Sequence, residues 1–161
     1  MKKFLPMALF AAVIAAVDQW TKFLVVSYIP ENPILPVPFL PDILSLTHTK
    51  NDGAGWSSLS GMRWLFVLVF LLITVLLIWE YFKKPMAFTT LERWCIAAVY
   101  GGGLGNTIDR VRTGLVVDMI KTDFMNFPVF NVADCFITCG CILLMVHLIF
   151  FNKKFWKDGK K

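Results

Sequence analysis

Two aspartates occupy positions where an acid is costly. Asp118 interrupts the apolar, β-branched run Val116-Val117-Asp118-Met119-Ile120, and Asp134 lies one turn after Asn131 at the start of a long apolar segment. A carboxyl at membrane depth is expensive unless paired or hydrated, and is kept for function by default. Two carboxyls brought together share a proton, because like charges hold one of them neutral. The ionised member then acts as base toward water, and the protonated member as acid toward a carbonyl oxygen. That is aspartyl peptide hydrolysis. No Ser/His/Asp or Cys/His set competes: His147 lies 13 residues beyond Asp134, about 20 Å along a helix.

The neighbours of the two acids suit the same chemistry. Asn131 is a good helix N-cap, which puts Asp134 at N3, where the positive helix end favours an ionised carboxylate. Asp118, among Val116, Val117, Met119 and Ile120, is the candidate protonated partner. Asn106, Arg110 and Asn131 offer donors to fix a substrate or the carboxylates. Asp109 sits beside Arg110, three residues from Asn106, and is read as a helix-end and network acid. The intervening chain, with Pro128 in it, is long enough to loop back and join the acids.

The elements that must position these residues are membrane helices. The chain has 161 residues, 57% of them hydrophobic, with a mean hydropathy of +0.65, so it reads as one integral-membrane domain over 1–161. Its net charge of +5 does not form a nucleic-acid stripe, because the basic residues cluster at the chain ends and in one short loop. Cys95, Cys135, Cys139 and Cys141 show neither a disulfide framework nor zinc spacing, and read as small buried hydrophobes.

Four spans are expected, at about 4–28, 63–81, 91–110 and 131–151. The first opens like a signal peptide, but three more apolar segments follow, so it is read as a retained helix. It carries Asp18 and Lys22 on one face at i,i+4, a pair that orients the helix inside a bundle. The second span has Trp64 and Trp79 as interfacial anchors. The third is weaker, with Gly101 and Gly105 forming a small-residue face for close packing. Between the first two spans, Pro30, Pro33, Pro36, Pro38 and Pro41 exclude helix. Residues 43–49 then alternate as a strand, and Asn51–Ser57 forms a glycine turn that lets backbone approach a ligand. His48 in that strand reads as a structural hydrogen-bonding residue. Lys2, Lys3, Lys83, Lys84, Arg93 and the C-terminal lysines fall on one side of four spans, which puts both termini in the cytoplasm and the two acids near the outer face.

These residues also fall into motifs: Asp18-Gln19-x-x-Lys22, Asn51-x-Gly53-Ala54-Gly55-Trp56-Ser57, Gly101-Gly102-x-x-Gly105-Asn106-x-x-Asp109-Arg110, Val116-Val117-Asp118 and Phe127-Pro128-x-Phe130-Asn131-x-Ala133-Asp134. Together they resemble the lipoprotein signal peptidase (type II signal peptidase) family nearly end to end. The resemblance implies four transmembrane helices with a small extracytoplasmic β-sheet cradle in a bacterial cell membrane. It implies a metal-free, cofactor-free aspartyl endopeptidase with Asp118 and Asp134 as the dyad. It implies prolipoprotein substrates cut before a lipobox Cys that carries a diacylglyceryl group. Asn51, Gly53, Asn106, Arg110 and Asn131 then look like substrate contacts, and Asp18, Lys22 and Asp109 like network residues. Expected partners are those prolipoproteins and membrane lipid, with no nucleic acid, and the chain is expected to act as a monomer. Trp56 and Met119 depart from the Phe usual at both places, which touches the shape of the pocket.

Two other readings use some of the same residues. A proton-coupled transporter would also bury these carboxylates, but the internal repeats and broken helices common in transporters are missing from the sequence. A non-enzymatic lipid-binding or assembly protein would use the glycine face and the aromatics, and leaves the two outer acids without a purpose.

Overall fold

The computed structural model describes residues 4–33, 35–53, 59–83 and 88–152. Its helices are α1 (Phe4–Tyr28), α2 (Arg63–Lys83), α3 (Thr90–Arg112) and α4 (Val132–Phe150), within two residues of the expected spans at each end. Three are long and apolar enough to cross a membrane: Leu5–Tyr28, Arg63–Glu80 and Val132–Phe150. α3 is not, because Glu92, Arg93, Asn106, Asp109, Arg110 and Arg112 interrupt its apolar residues. It is instead the central helix, packed most heavily on α4 and α1 and more lightly on α2.

Small residues permit that packing. A Cβ on Gly101 would sit 2.7 Å from the Ala11 carbonyl oxygen of α1, and one on Gly105 would sit 2.5 Å from an Asp18 carboxylate oxygen. Both glycines are therefore filled by α1 itself, the close-approach use expected of a small-residue face. α2 behaves differently: only 6% of its apolar span is buried, so most of its surface suits hydrocarbon.

The two helix starts that matter are chemically built. Thr89 caps α3 in a capping box with Glu92, and Asn131 caps α4 in a capping box with Asp134. Glu92 does more than cap. It is fully buried, takes two hydrogen bonds from Asn152 Nδ2 at 2.9 and 2.8 Å, and meets His147 Nδ1 at 2.8 Å. This polar knot ties the start of α3 to the end of α4, at the opposite end of α4 from Asp134. His147 is thereby accounted for structurally.

A three-stranded antiparallel sheet, order β1-β2-β3, sits at the other end. Its strands are β1 (Val37–Leu40), β2 (Leu44–Asn51) and β3 (Val116–Thr122). β2 is the strand expected at 43–49, prolonged to Asn51. β1 was hidden among the prolines; Pro38 is compatible with it because β1 is an edge strand, where a missing N–H costs little. His48 is buried with Nδ1 2.9 Å from the Ile29 carbonyl oxygen, which fastens β2 to the end of α1.

The expected turn Asn51–Ser57 is described only as far as Gly53, and Ala54 to Ser57 lie outside the described residues. So do Lys2, Lys3, Lys84 and the C-terminal lysines used for orientation. The cysteine expectation is corrected in part. Cys95 is buried, but Cys139 and Cys141 are exposed on α4. Their helix is apolar around most of its circumference and buries only one side, so apolar periodicity could not say which residues face inward.

Candidate active site

The sheet joins Asp118 to Asp134. After β3 the chain turns back, and Phe130 bridges to Ile120 on the free side of that strand, with hydrogen bonds of 2.8 and 3.0 Å. The next residue is Asn131, the cap of α4. The strand carrying Asp118 is therefore tied directly to the helix start carrying Asp134. On its other side β3 pairs with β2, Asp118 opposite Thr49 and Val116 opposite Asn51. Asn51 lies diagonally across from Asp118 on the same sheet face, within reach for a side-chain bond.

Asn131 contacts both acids. Its side-chain Nδ2 donates to Asp118 Oδ1 at 2.7 Å, and its backbone N donates to Asp134 Oδ2 at 3.1 Å. Its own Oδ1 accepts from the Asp134 backbone N at 3.0 Å, closing the capping box. The remaining carboxylate oxygens are also held. Asn51 Nδ2 donates to Asp118 Oδ2 at 3.0 Å, and Asn106 Nδ2 donates to Asp134 Oδ1 at 2.9 Å. Burial pushes the Asp118 carboxyl up to about 6, with the charge of Asp134 adding to the rise and the Asn51 and Asn131 donors opposing it.

Gly53 and Arg110 form the adjoining edge. Arg110 Nη2 donates to the Gly53 carbonyl oxygen at 2.8 Å, and Nη1 to that of Asn106 at 3.2 Å. Arg110 is buried, yet its Nε has no partner among the described residues. Asn51 Oδ1 accepts from the Gly53 backbone N at 2.9 Å, so the start of the glycine turn is held from both sides.

Behind the acids lies a buried ionic network. Lys22 Nζ reaches Asp18 at 2.8 Å, Asp109 at 2.7 Å and the Asn106 Oδ1 at 2.9 Å. Asp18 also accepts from the Ala133 backbone N at 3.0 Å, satisfying a second donor at the start of α4. The pair on α1 thus sets the height of α4 against α1. Asp109 has both oxygens engaged, by Gln19 Nε2 at 2.8 Å and by Lys22. Gln19 stood inside the first motif with no role assigned; its place beside Asp18 was the signal, and its partner 90 positions away was not readable.

The occupancy of Asp109 yields a prediction. Asp109→Asn loses a buried ion pair but leaves Lys22 bonded to Asp18, so the cost is in folding, up to about 3 kcal/mol. Cleavage per folded molecule falls only in part. The check is thermal unfolding beside a cleavage assay. A well-folded, inactive Asp109→Asn together with an active Asp118→Asn would make Asp109, and not Asp118, the candidate acid beside Asp134.

The chain is also similar to known proteins. The family model described as signal peptidase (SPase) II matches residues 10–150. The lipoprotein signal peptidase of Enterococcus faecalis is 40% identical over 155 residues, 94% of this chain and 92% of that protein. That of Lactococcus lactis subsp. cremoris strain SK11 is 40% identical over 152 residues, 92% of this chain and 96% of that protein. A bacterial membrane enzyme solved by the in meso method at 2.3 Å superposes with a TM-score of 0.83 at 32% identity, covering 92% of this chain and 90% of the other. With the family model spanning most of the chain and full-length relatives at this identity, the chain belongs to the signal peptidase II family, the lipoprotein signal peptidases.

Proposed function

We propose that Asp118 and Asp134 are the dyad with which this signal peptidase removes signal peptides from prolipoproteins. The observation that carries the reading is Asn131, whose side chain bonds one acid while its backbone bonds the other. One carboxylate takes a proton from water as that water attacks the scissile carbonyl carbon. The other carboxyl gives its proton to the carbonyl oxygen. As the tetrahedral intermediate collapses, one of its hydroxyls returns a proton to the dyad, the C–N bond breaks, and the leaving amine takes up a proton from the dyad. Asn106 and Asn51 hold the outer oxygens, so the acids keep their orientation while the proton moves.

Asn51, Gly53, Asn106, Arg110 and Asn131 are proposed to border the bound peptide, and Asp18, Lys22 and Asp109 to support them from behind. α3, the least apolar helix, is proposed as the fourth membrane span, shielded by α1 and α4. Polar residues are tolerated in a span when they face the bundle interior. The Lys and Arg bias supports a topology with both termini in the cytoplasm and the sheet on the outer side. The substrate is proposed to carry a diacylglyceryl group on the Cys just after the cut.

The test is purified protein with a lipid-modified and an unmodified prolipoprotein, read by gel shift. Cleavage of neither would sink the reading. The same assay gives a pH prediction. Asp118 has its carboxyl raised to about 6, and the competent free enzyme holds one proton on the pair. Activity is therefore present below that value and is lost as pH rises through it. kcat/KM should show an alkaline limb with an apparent value near 6, belonging to the pair rather than to Asp118 alone. Asn51→Ala removes a bond that favours the charged form, so its limb should move upward.

A further inference from the structure

We infer that Phe66 is a positioning residue for cleavage: its ring on α2 holds the Arg110 guanidinium of α3 in the orientation the site uses. The inference rests on the role given to Arg110 above. Arg110 Cζ lies 4.4 Å from the centroid of the Phe66 ring, a cation–π distance. Among the described residues no carboxylate lies within ion-pair distance of this buried cation. Its two terminal nitrogens bond the carbonyl oxygens of Gly53 and Asn106, which fixes the guanidinium along its own plane. Those bonds leave tilt out of the plane open. The face of Phe66 closes that freedom and leaves the unpartnered Nε donor with a single aim.

Phe66 brings α2 against the site end of α3, where Arg110 stands. One turn further along α2, Phe70 lies where a Cβ on Gly103 would come within 3.1 Å of its ring, and it stacks on Tyr100 with ring centroids 4.9 Å apart. Phe70 packs α2 on α3 in the same manner but belongs to the helix body, away from Arg110. The two phenylalanines therefore separate packing from positioning. A cation–π contact to a half-buried ring, between the exposed and the desolvated limits, changes an equilibrium by about tenfold.

The experiment compares Phe66→Leu, Phe66→Tyr and Phe70→Leu in the full chain, by unfolding temperature and by kcat and KM on a lipid-modified prolipoprotein. Both leucine variants should lower the unfolding temperature alike. Only Phe66→Leu should lower kcat/KM of the folded enzyme, about tenfold. Phe66→Tyr, which keeps the ring, should restore it. Equal losses in Phe66→Leu and Phe70→Leu, or a Phe66→Tyr as poor as Phe66→Leu, overturn the inference. Full kcat/KM in Arg110→Lys would instead remove the role given to Arg110, and that of Phe66 with it.

Discussion

Asp118→Asn and Asp134→Asn each abolish useful cleavage of a lipid-modified prolipoprotein, lowering turnover on the order of 10²- to 10⁴-fold while the protein still inserts and folds. The reason is that both dyad roles need an ionisable carboxyl. An amide neither takes a proton from water nor gives one to a carbonyl oxygen at neutral pH. The structure also sets a stability cost. Each acid accepts from two donors: Asn51 and Asn131 at Asp118, Asn106 and the Asn131 backbone at Asp134. An amide turns one acceptor into a donor facing a donor, which costs about 1–3 kcal/mol. At Asp118 a flipped Asn51 amide would relieve the clash only by giving up its bond from the Gly53 backbone N. Thermal unfolding and turnover together separate the effects. Near wild-type turnover in either variant refutes the dyad.

Much of the fold and of the candidate site is legible in the sequence, and for identifiable reasons. Helix positions follow from runs of apolar residues between caps and prolines, and those signals are local. Asn131 at N-cap with Asp134 at N3 is likewise local, and the capping box is present. What could not be read depends on partners far along the chain. Glu92 is the buried centre of a knot reaching Asn152, 60 positions away, and nothing beside it in the chain signals that partner. Phe66 sits in an unbroken apolar run and differs from its neighbours only because Arg110 lies over it. β1 was masked by its prolines, whose exclusion of helix is a stronger signal than their tolerance at a sheet edge. Exposure of Cys139 and Cys141 was unreadable because in lipid an outward face is as apolar as an inward one.

Removing the diacylglyceryl group from the substrate lowers turnover even at saturating peptide, by roughly 10²-fold. The argument begins with what the lipid cannot supply. Acyl chains taken from water would contribute up to about 0.8 kcal/mol per buried CH₂. Here they start in lipid and end against apolar helix faces, such as the exposed Leu and Ile side chains of α2 and α4, so most of that term cancels. What remains is depth. Asp118 and Asp134 are fixed against the sheet and the start of α4, by a strand bridge on one side and by the Asp18 contact to Ala133 on the other. An extended peptide lying along the edge formed by Gly53 and Arg110 would be free to slide along it. A lipid on the residue after the cut removes the sliding, because its chains must stay in hydrocarbon. Misplacement of a reacting bond by about 1 Å costs roughly 10²-fold, which is the size expected here. The measurement is the saturated rate for a lipidated and an unlipidated peptide of one sequence in the same bilayer. A lower saturated rate without lipid supports positioning; equal saturated rates with a raised KM would make the lipid a membrane anchor and nothing more.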